Sequence, residues 1–299
     1  MMTVIGFLSR RGKILNSHAN GVITQLILYI TLPALILYSL NTNFTMELMQ
    51  DFLWLVMMSI FILSVSVFIG AWLRRKASIP LSQKSVYESL IIFGNQGFIG
   101  FAISYILLGE QGIIYVTFFN ICYLILIWTY GIYLFTKNDK SVVWKRLLIN
   151  PGILSTLIGL GLLFLPFSWP SPMLNTFETV GKMTVPLSMI LIGSMLGEIR
   201  WQVFKKYSRN IYIWVAACFR LLIIPSFLFF FIFLNVSYSL IIIAVLTSAM
   251  PSATTTSIYA QKFGGDTAFA SFGVLLSTLL CLITIPMLYS LLHWLLRLY

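Results

Sequence analysis

Gly94-Asn95-Gln96-Gly97 and Ala249-Met250-Pro251-Ser252-Ala253-Thr254-Thr255-Thr256 place helix breakers and polar side chains in the middle of apolar segments of membrane length. Hydrocarbon tolerates freed backbone N–H and C=O groups only where protein buries them or a water-filled cavity receives them, so an interrupted membrane helix usually marks a solute site. Proline cannot donate an N–H and clashes with the preceding turn, while each glycine weakens a helix by about 1 kcal/mol, so both segments are expected to unwind. Asn95 lies about ten residues, or ~15 Å, beyond an entry near Lys84, and Pro251 about fifteen residues beyond Val236, so both breaks fall near mid-bilayer. Half-helix N-termini would then point inward, each with about half a positive charge and several open N–H donors, a natural receptor for a carboxylate.

The surrounding composition requires a membrane. Of 299 residues, 59% are apolar, 15% aromatic and only 9% charged, whereas soluble domains carry about a quarter charged residues. Apolar runs of the roughly 17–25 residues that cross a ~30 Å core fall at about 19–40, 52–73, 86–108, 112–136, 150–167, 173–197, 211–235, 238–261 and 267–296. With a stub at 1–8 they make about 10 transmembrane helices of an all-α membrane protein, in which the fourth and ninth are the broken pair. The stub supplies only ~12 Å of helix, and the expectation is an upstream start codon or a truncated first helix; charges follow its apolar run, which argues against a signal peptide.

A net charge of +11 would suggest nucleic acid in a soluble chain; here it follows membrane topology, and no nucleic acid is implied. Of the 19 basic residues, 16 fall in the loops after the first, third, fifth, seventh and ninth segments. Lys182 and Arg297 fall opposite, and Arg220 lies inside a span. The basic loops are therefore expected on the cytoplasmic side of the cell membrane with both termini outside. Cys122, Cys218 and Cys281 lie inside expected spans without ligand-like spacing and read as packing residues, so no metal is expected.

An internal repeat organises the chain. Thr31-Leu32-Pro33 matches Thr184-Val185-Pro186, and Gly109-Glu110-Gln111 matches Gly264-Gly265-Asp266 at nearly the same offset. Five segments separate each pair, so the halves enter the membrane in opposite directions, a 5+5 inverted repeat. The expected division is 1–136, a cytoplasmic linker at 137–149, and 150–299. Pro33 and Pro186 read as helix breaks or scaffold kinks.

The polar residues of the breaks are the binding candidates. Adjacent amides at Asn95 and Gln96 are costly at mid-bilayer without partners and suit an oxygen-rich ligand; Gly94, Gly97, Pro251, Ser252, Thr254 and Thr255 shape the same place, and Asn120 either lines it or bridges helices. Arg220 reads either as a counter-charge to an anion or as a residue that snorkels or ties helices together through a carbonyl. Glu88 is expected to pair with Lys84 at i,i+4. The central third of every expected span lacks Asp and Glu, which argues against a cation substrate and against antiporters that work through membrane carboxylates. No His-Glu-x-x-His, Gly-x-Ser-x-Gly, phosphate loop or Cys/His cluster is present, so nothing points to an enzyme.

Several stretches resemble the auxin efflux carrier family in its bacterial branch: Tyr29-Ile30-Thr31-Leu32-Pro33-Ala34, Gly94 to Gly100, Val185-Pro186-Leu187-Ser188 with Ile192-Gly193-Ser194-Met195-Leu196, Ala249 to Ala253, and Tyr259-Ala260-Gln261-Lys262-Phe263-Gly264. The resemblance covers nearly the whole chain. It implies ten-helix carriers related in fold to bile acid symporters, with helices 1, 2, 6 and 7 as scaffold and helices 3 to 5 and 8 to 10 as the moving unit. It also implies organic anion substrates, malate or malonate in bacterial members and auxin in plants. Gln96 stands where many members have threonine and Thr255 where many have asparagine. The expectation is thus a secondary carrier moving a small mono- or dicarboxylate by alternating access, with Asn95 and Gln96 donating to the carboxylate. A sodium-coupled symporter and a non-transporting solute sensor are the alternatives. No cofactor is implied; Na+ or H+ are the candidate coupling ions, and a homodimer is among the open assembly states.

Overall fold

The computed structural model describes residues 1–42, 45–136, 151–163, 169–197, 207–234 and 236–297. Their regular structure is helical: α1 (Met2–Arg11), α2 (Ser17–Ser39), α3 (Met46–Lys76), α4 (Leu81–Ile92), α5 (Gln96–Thr136), α6 (Pro151–Leu163), α7 (Ser171–Lys182), α8 (Thr184–Gly197), α9 (Ile211–Leu234), α10 (Tyr238–Ser248), α11 (Thr255–Phe263) and α12 (Thr267–Arg297). Five of them, α2, α3, α5, α9 and α12, are long and apolar enough to cross a membrane, and α10 is a shorter apolar helix. The expected linker at 137–149 lies outside the described residues.

α5 is two arms rather than one rod. Gly109 adopts φ 59° and ψ −136°, a left-handed conformation that only glycine takes without strain. A Cβ at Gly112 would collide with the carbonyl oxygen of Ser104, eight residues earlier, where a straight helix would hold them ~12 Å apart. The chain therefore reverses at Gly109, as the separate runs at 86–108 and 112–136 require.

The residues fall into two compact units, each drawn from both halves of the chain. The first comprises Met1–Leu53, Gly97–Ile121 and Val143–Ile199. In it α1 lies directly on α8: a Cβ at Gly6 would strike the carbonyl of Ile190, and one at Gly193 the carbonyl of Thr3. Lipid offers no hydrophobic gain for helix association, so glycines that let backbones touch supply the packing instead. Gly159 of α6 faces the Leu40 side chain, and Gly181 of α7 the backbone of Leu35.

The helical ladder is irregular just ahead of both Pro33 and Pro186. α2 loosens into a π-helical turn at Ile27–Thr31 just ahead of Pro33, where the ring excludes the carbonyl four residues back. α7 ends at Lys182 and α8 begins at Thr184, two residues before Pro186. Beside these breaks the buried Thr184 hydroxyl donates to Thr31 Oγ1 at 2.9 Å, across 153 positions of sequence. Ser194 likewise donates to Asn20 Oδ1 at 2.6 Å.

The second unit comprises Trp54–Gln96, Cys122–Val142 and Arg200–Tyr299. Glu88, fully buried, accepts from Arg74 Nη1 at 2.8 Å and from the Tyr130 hydroxyl at 2.6 Å. Lys84 is not its partner; the basic end of α3 lies closer, and the phenol satisfies the second carboxylate oxygen. Cys281 packs with Ala217 and Leu221, and Cys122 is half-buried, but Cys218 is exposed. Cys218 therefore does not pack within the chain; its position on α9 turns it outward.

Two substitutions test this packing in thermal unfolding of detergent-purified protein. Gly6→Leu should destabilise by about 1–3 kcal/mol as an overpacked contact. In a double-mutant cycle, Thr31→Val and Thr184→Val should couple by about 0.6 kcal/mol, typical of hydrogen bonds between membrane helices.

Candidate functional site: a crossing of two interrupted helices

Within the second unit both expected breaks occur, and they meet. α4 stops at Ile92 and Phe93 turns extended, at φ −99° and ψ 116°; helix resumes at Gln96. α10 stops at Ser248 and α11 resumes at Thr255. Between them Gly94 and Ser252 form an isolated antiparallel bridge. Asn95 N–H donates to the Pro251 carbonyl at 2.6 Å and Ala253 N–H to the Phe93 carbonyl at 2.9 Å. The breaks thus satisfy each other's backbone groups, as a low-dielectric interior demands.

Side chains take up most of what remains. Tyr123 O–H donates to the Gly94 carbonyl at 2.5 Å. Ser252 Oγ donates to the Leu90 carbonyl at 2.7 Å while its N–H goes to Ser277 Oγ at 3.0 Å. Ser89 and Thr256 share a hydroxyl pair at 2.9 Å. Arg220 ties the two interrupted helices: Nε donates to the Met250 carbonyl at 2.9 Å and Nη1 to the Ile92 carbonyl at 2.8 Å. Those carbonyls close the C-terminal ends of α10 and α4, where the helix dipole is negative. Arg220 is 1% exposed and sits in a π-helical turn, Phe219–Ile223, that Pro225 forces open by excluding the carbonyl of Leu221.

The groups left over define what the crossing offers. Gln96 Oε1, Thr255 Oγ1 and Arg220 Nη2 are buried without a hydrogen-bond partner. Among the described residues the Asn95 amide makes no hydrogen bond either, although the residue is only 8% exposed. Thr254 holds the N-cap position of α11 but its side chain does not cap it. Gln96 and Thr255 are the first residues of the two resuming helices, so free polar atoms stand at two positive helix ends.

Of the residues singled out from sequence, Gly94, Asn95, Gln96, Pro251, Ser252, Thr254, Thr255 and Arg220 come together here. Gly97 and Asn120 belong to the first unit, where Asn120 is buried with Oδ1 unpartnered, and Pro33 and Pro186 also lie there. Tyr123 and Ser277 were not singled out. Their only signal is a polar group inside an apolar run, which many packing residues share.

Interrupted helices that cross and leave amides unpaired inside a membrane-spanning chain define a membrane transport protein. The chain belongs to the Membrane transport protein family, matching it over residues 1–143 and 140–289, and so to the family whose motifs it carries. It is 24% identical over 299 aligned residues to an uncharacterised transporter of Methanocaldococcus jannaschii, covering 96% of this chain and 94% of that one. It is 25% identical over 298 residues, 94% of this chain and 89% of the other, to a Rhizobium meliloti protein named "Putative malonate transporter". With five membrane-length helices among its described residues it is a multi-pass membrane protein.

The close fit at the first break is testable. A Cβ at Gly94 would collide with the Arg220 guanidinium, whereas one at Gly97 meets no described atom within 4 Å. Gly94→Ala should therefore lower thermal stability by about 1–3 kcal/mol and Gly97→Ala should leave it within about 0.5 kcal/mol.

Proposed function

We propose that this protein is a secondary carrier of small organic anions, mono- or dicarboxylates of the malonate or malate class, bound at the crossing and moved by alternating access. The observation that carries the reading is the set of unpartnered groups at the resuming helix ends, Asn95, Gln96 Oε1 and Thr255 Oγ1. In this reading the Asn95 and Gln96 amide N–H groups donate to carboxylate oxygens, with the Gln96 amide turned so that nitrogen faces the ligand. Thr255, and Thr254 beside it, add hydroxyl donors, and the two helix N-termini supply positive field. Gly94, Pro251 and Ser252 hold the breaks open and reach the ligand only through that shape. The name of the Rhizobium meliloti relative supports the substrate class.

A ten-segment inverted repeat fits this function, because related halves can exchange roles as the site opens to either side. Its support is the Thr31–Thr184 hydrogen bond: the two residues matched by the repeat touch each other, as positions on a pseudo-two-fold axis must. The packing of α1 on α8 and of α6 on the end of α2 repeats the same relation. We place the protein in the cytoplasmic membrane, basic loops inside. In this reading helices 1, 2, 6 and 7 act as scaffold and the crossing belongs to the moving part; the first compact unit holds those four helices but also Gly97–Ile121 from helices 4 and 5.

Counterflow in proteoliposomes tests transport itself. Labelled malonate uptake should accelerate when the vesicles are preloaded with unlabelled malonate or malate, and Thr255→Val should slow exchange by about tenfold, the worth of one hydrogen bond to a charged group. Binding without any trans-acceleration by a carboxylate would instead support a sensor.

A further inference from the structure

Carriers with discontinuous helices commonly hold a coupling Na+ on the unwound carbonyls and C-terminal half-helix ends of the break. In this chain those carbonyls are already engaged. Arg220 Nε and Nη1 take the Met250 and Ile92 carbonyls, one from each interrupted helix. Among the described residues no carboxylate pairs with Arg220; the ion pairs found there are Arg74 with Glu88 and Lys182 with Glu178. A guanidinium 1% exposed, without a counter-ion, is expensive in a low-dielectric interior. It is compensated where two helix dipoles converge with their negative ends, the environment that would otherwise attract a metal cation.

We propose that Arg220 is a built-in cation that occupies the electrostatic place of a coupling ion at the crossing, so that the site assembles and works without bound Na+. The guanidinium stays put through the cycle, because releasing it would strand a charge and two carbonyls in hydrocarbon. Its remaining donor, Nη2, buried and unpartnered against Gly94, completes a positive field that no exchangeable ion need supply. The inference rests on the carrier reading for its consequence in transport, but its structural part stands apart from any substrate.

Wild type, Arg220→Lys and Arg220→Ala are compared in NaCl and in choline chloride of equal ionic strength, with methylguanidinium as a third condition. Thermal stability in detergent, which needs no substrate, is the first readout. The wild-type midpoint should be the same in sodium and choline, whereas Arg220→Ala should be stabilised selectively by Na+ or methylguanidinium refilling the vacated place. Arg220→Lys, which keeps the charge, should stay indifferent to sodium. Malonate counterflow is the second readout: wild-type exchange should agree within about twofold in the two salts, and that of Arg220→Ala should fall in choline and recover with the added cation. A wild type that needs sodium for stability or exchange overturns the proposal, and so does an alanine variant that folds yet responds to no cation more than wild type does. If the alanine variant cannot be purified, the wild-type and lysine arms still decide. Absence of malonate exchange in both salts would sink the anion reading while the stability arm still judges Arg220.

Discussion

Backbone groups released inside hydrocarbon must find partners, and at the crossing they find them in each other. Two hydrogen bonds, Asn95 N–H to Pro251 and Ala253 N–H to Phe93, convert two broken helices into a single joint. Without that exchange each break would leave polar groups whose burial costs several kcal/mol. Everything else at the site is arranged around it. Gly94 lets the strands approach beside a guanidinium, Pro251 withholds a donor where none is needed, and Tyr123, Ser252 and Arg220 close the outstanding carbonyls.

The joint sorts charge as well as hydrogen bonds. α4 and α10 bring their negative ends to it and receive Arg220; the helices that resume at Gln96 and Thr255 bring their positive ends, where Gln96 Oε1 and Thr255 Oγ1 have no hydrogen-bond partner among the described residues. The negative ends explain how the crossing can hold a fixed cation that, among the described residues, no carboxylate pairs. In the proposed carrier reading, an anion would bind against those positive ends.

Much of this was legible in the sequence because it depends on residues with few structural options. Proline and paired glycines inside an apolar run fixed where helices stop, and both breaks occur within a residue or two of Asn95 and Pro251. The two threonines paired by the Thr-x-Pro match lie in hydrogen-bond contact. What could not be read was partner choice. Glu88 had Lys84 at the right helical spacing yet bonds Arg74 and Tyr130, because tertiary packing brings a guanidinium and a phenol nearer. That Arg220 reaches the Ile92 and Met250 carbonyls depends on how three separate segments pack, which its own neighbours in sequence do not show. Ser277 and Tyr123 gave no periodic or spacing signal, since a lone hydroxyl in a membrane helix can as well bond its own backbone.

The central claim is that bare amides at the crossing receive an anionic guest, and ligand-induced thermal stabilisation of the purified protein measures it most directly. Small carboxylates should raise the unfolding midpoint of the wild type in a saturable way, and the shift should vanish in folded Asn95→Ala. A wild type indifferent to every carboxylate, or an alanine variant that responds equally, would contradict the account.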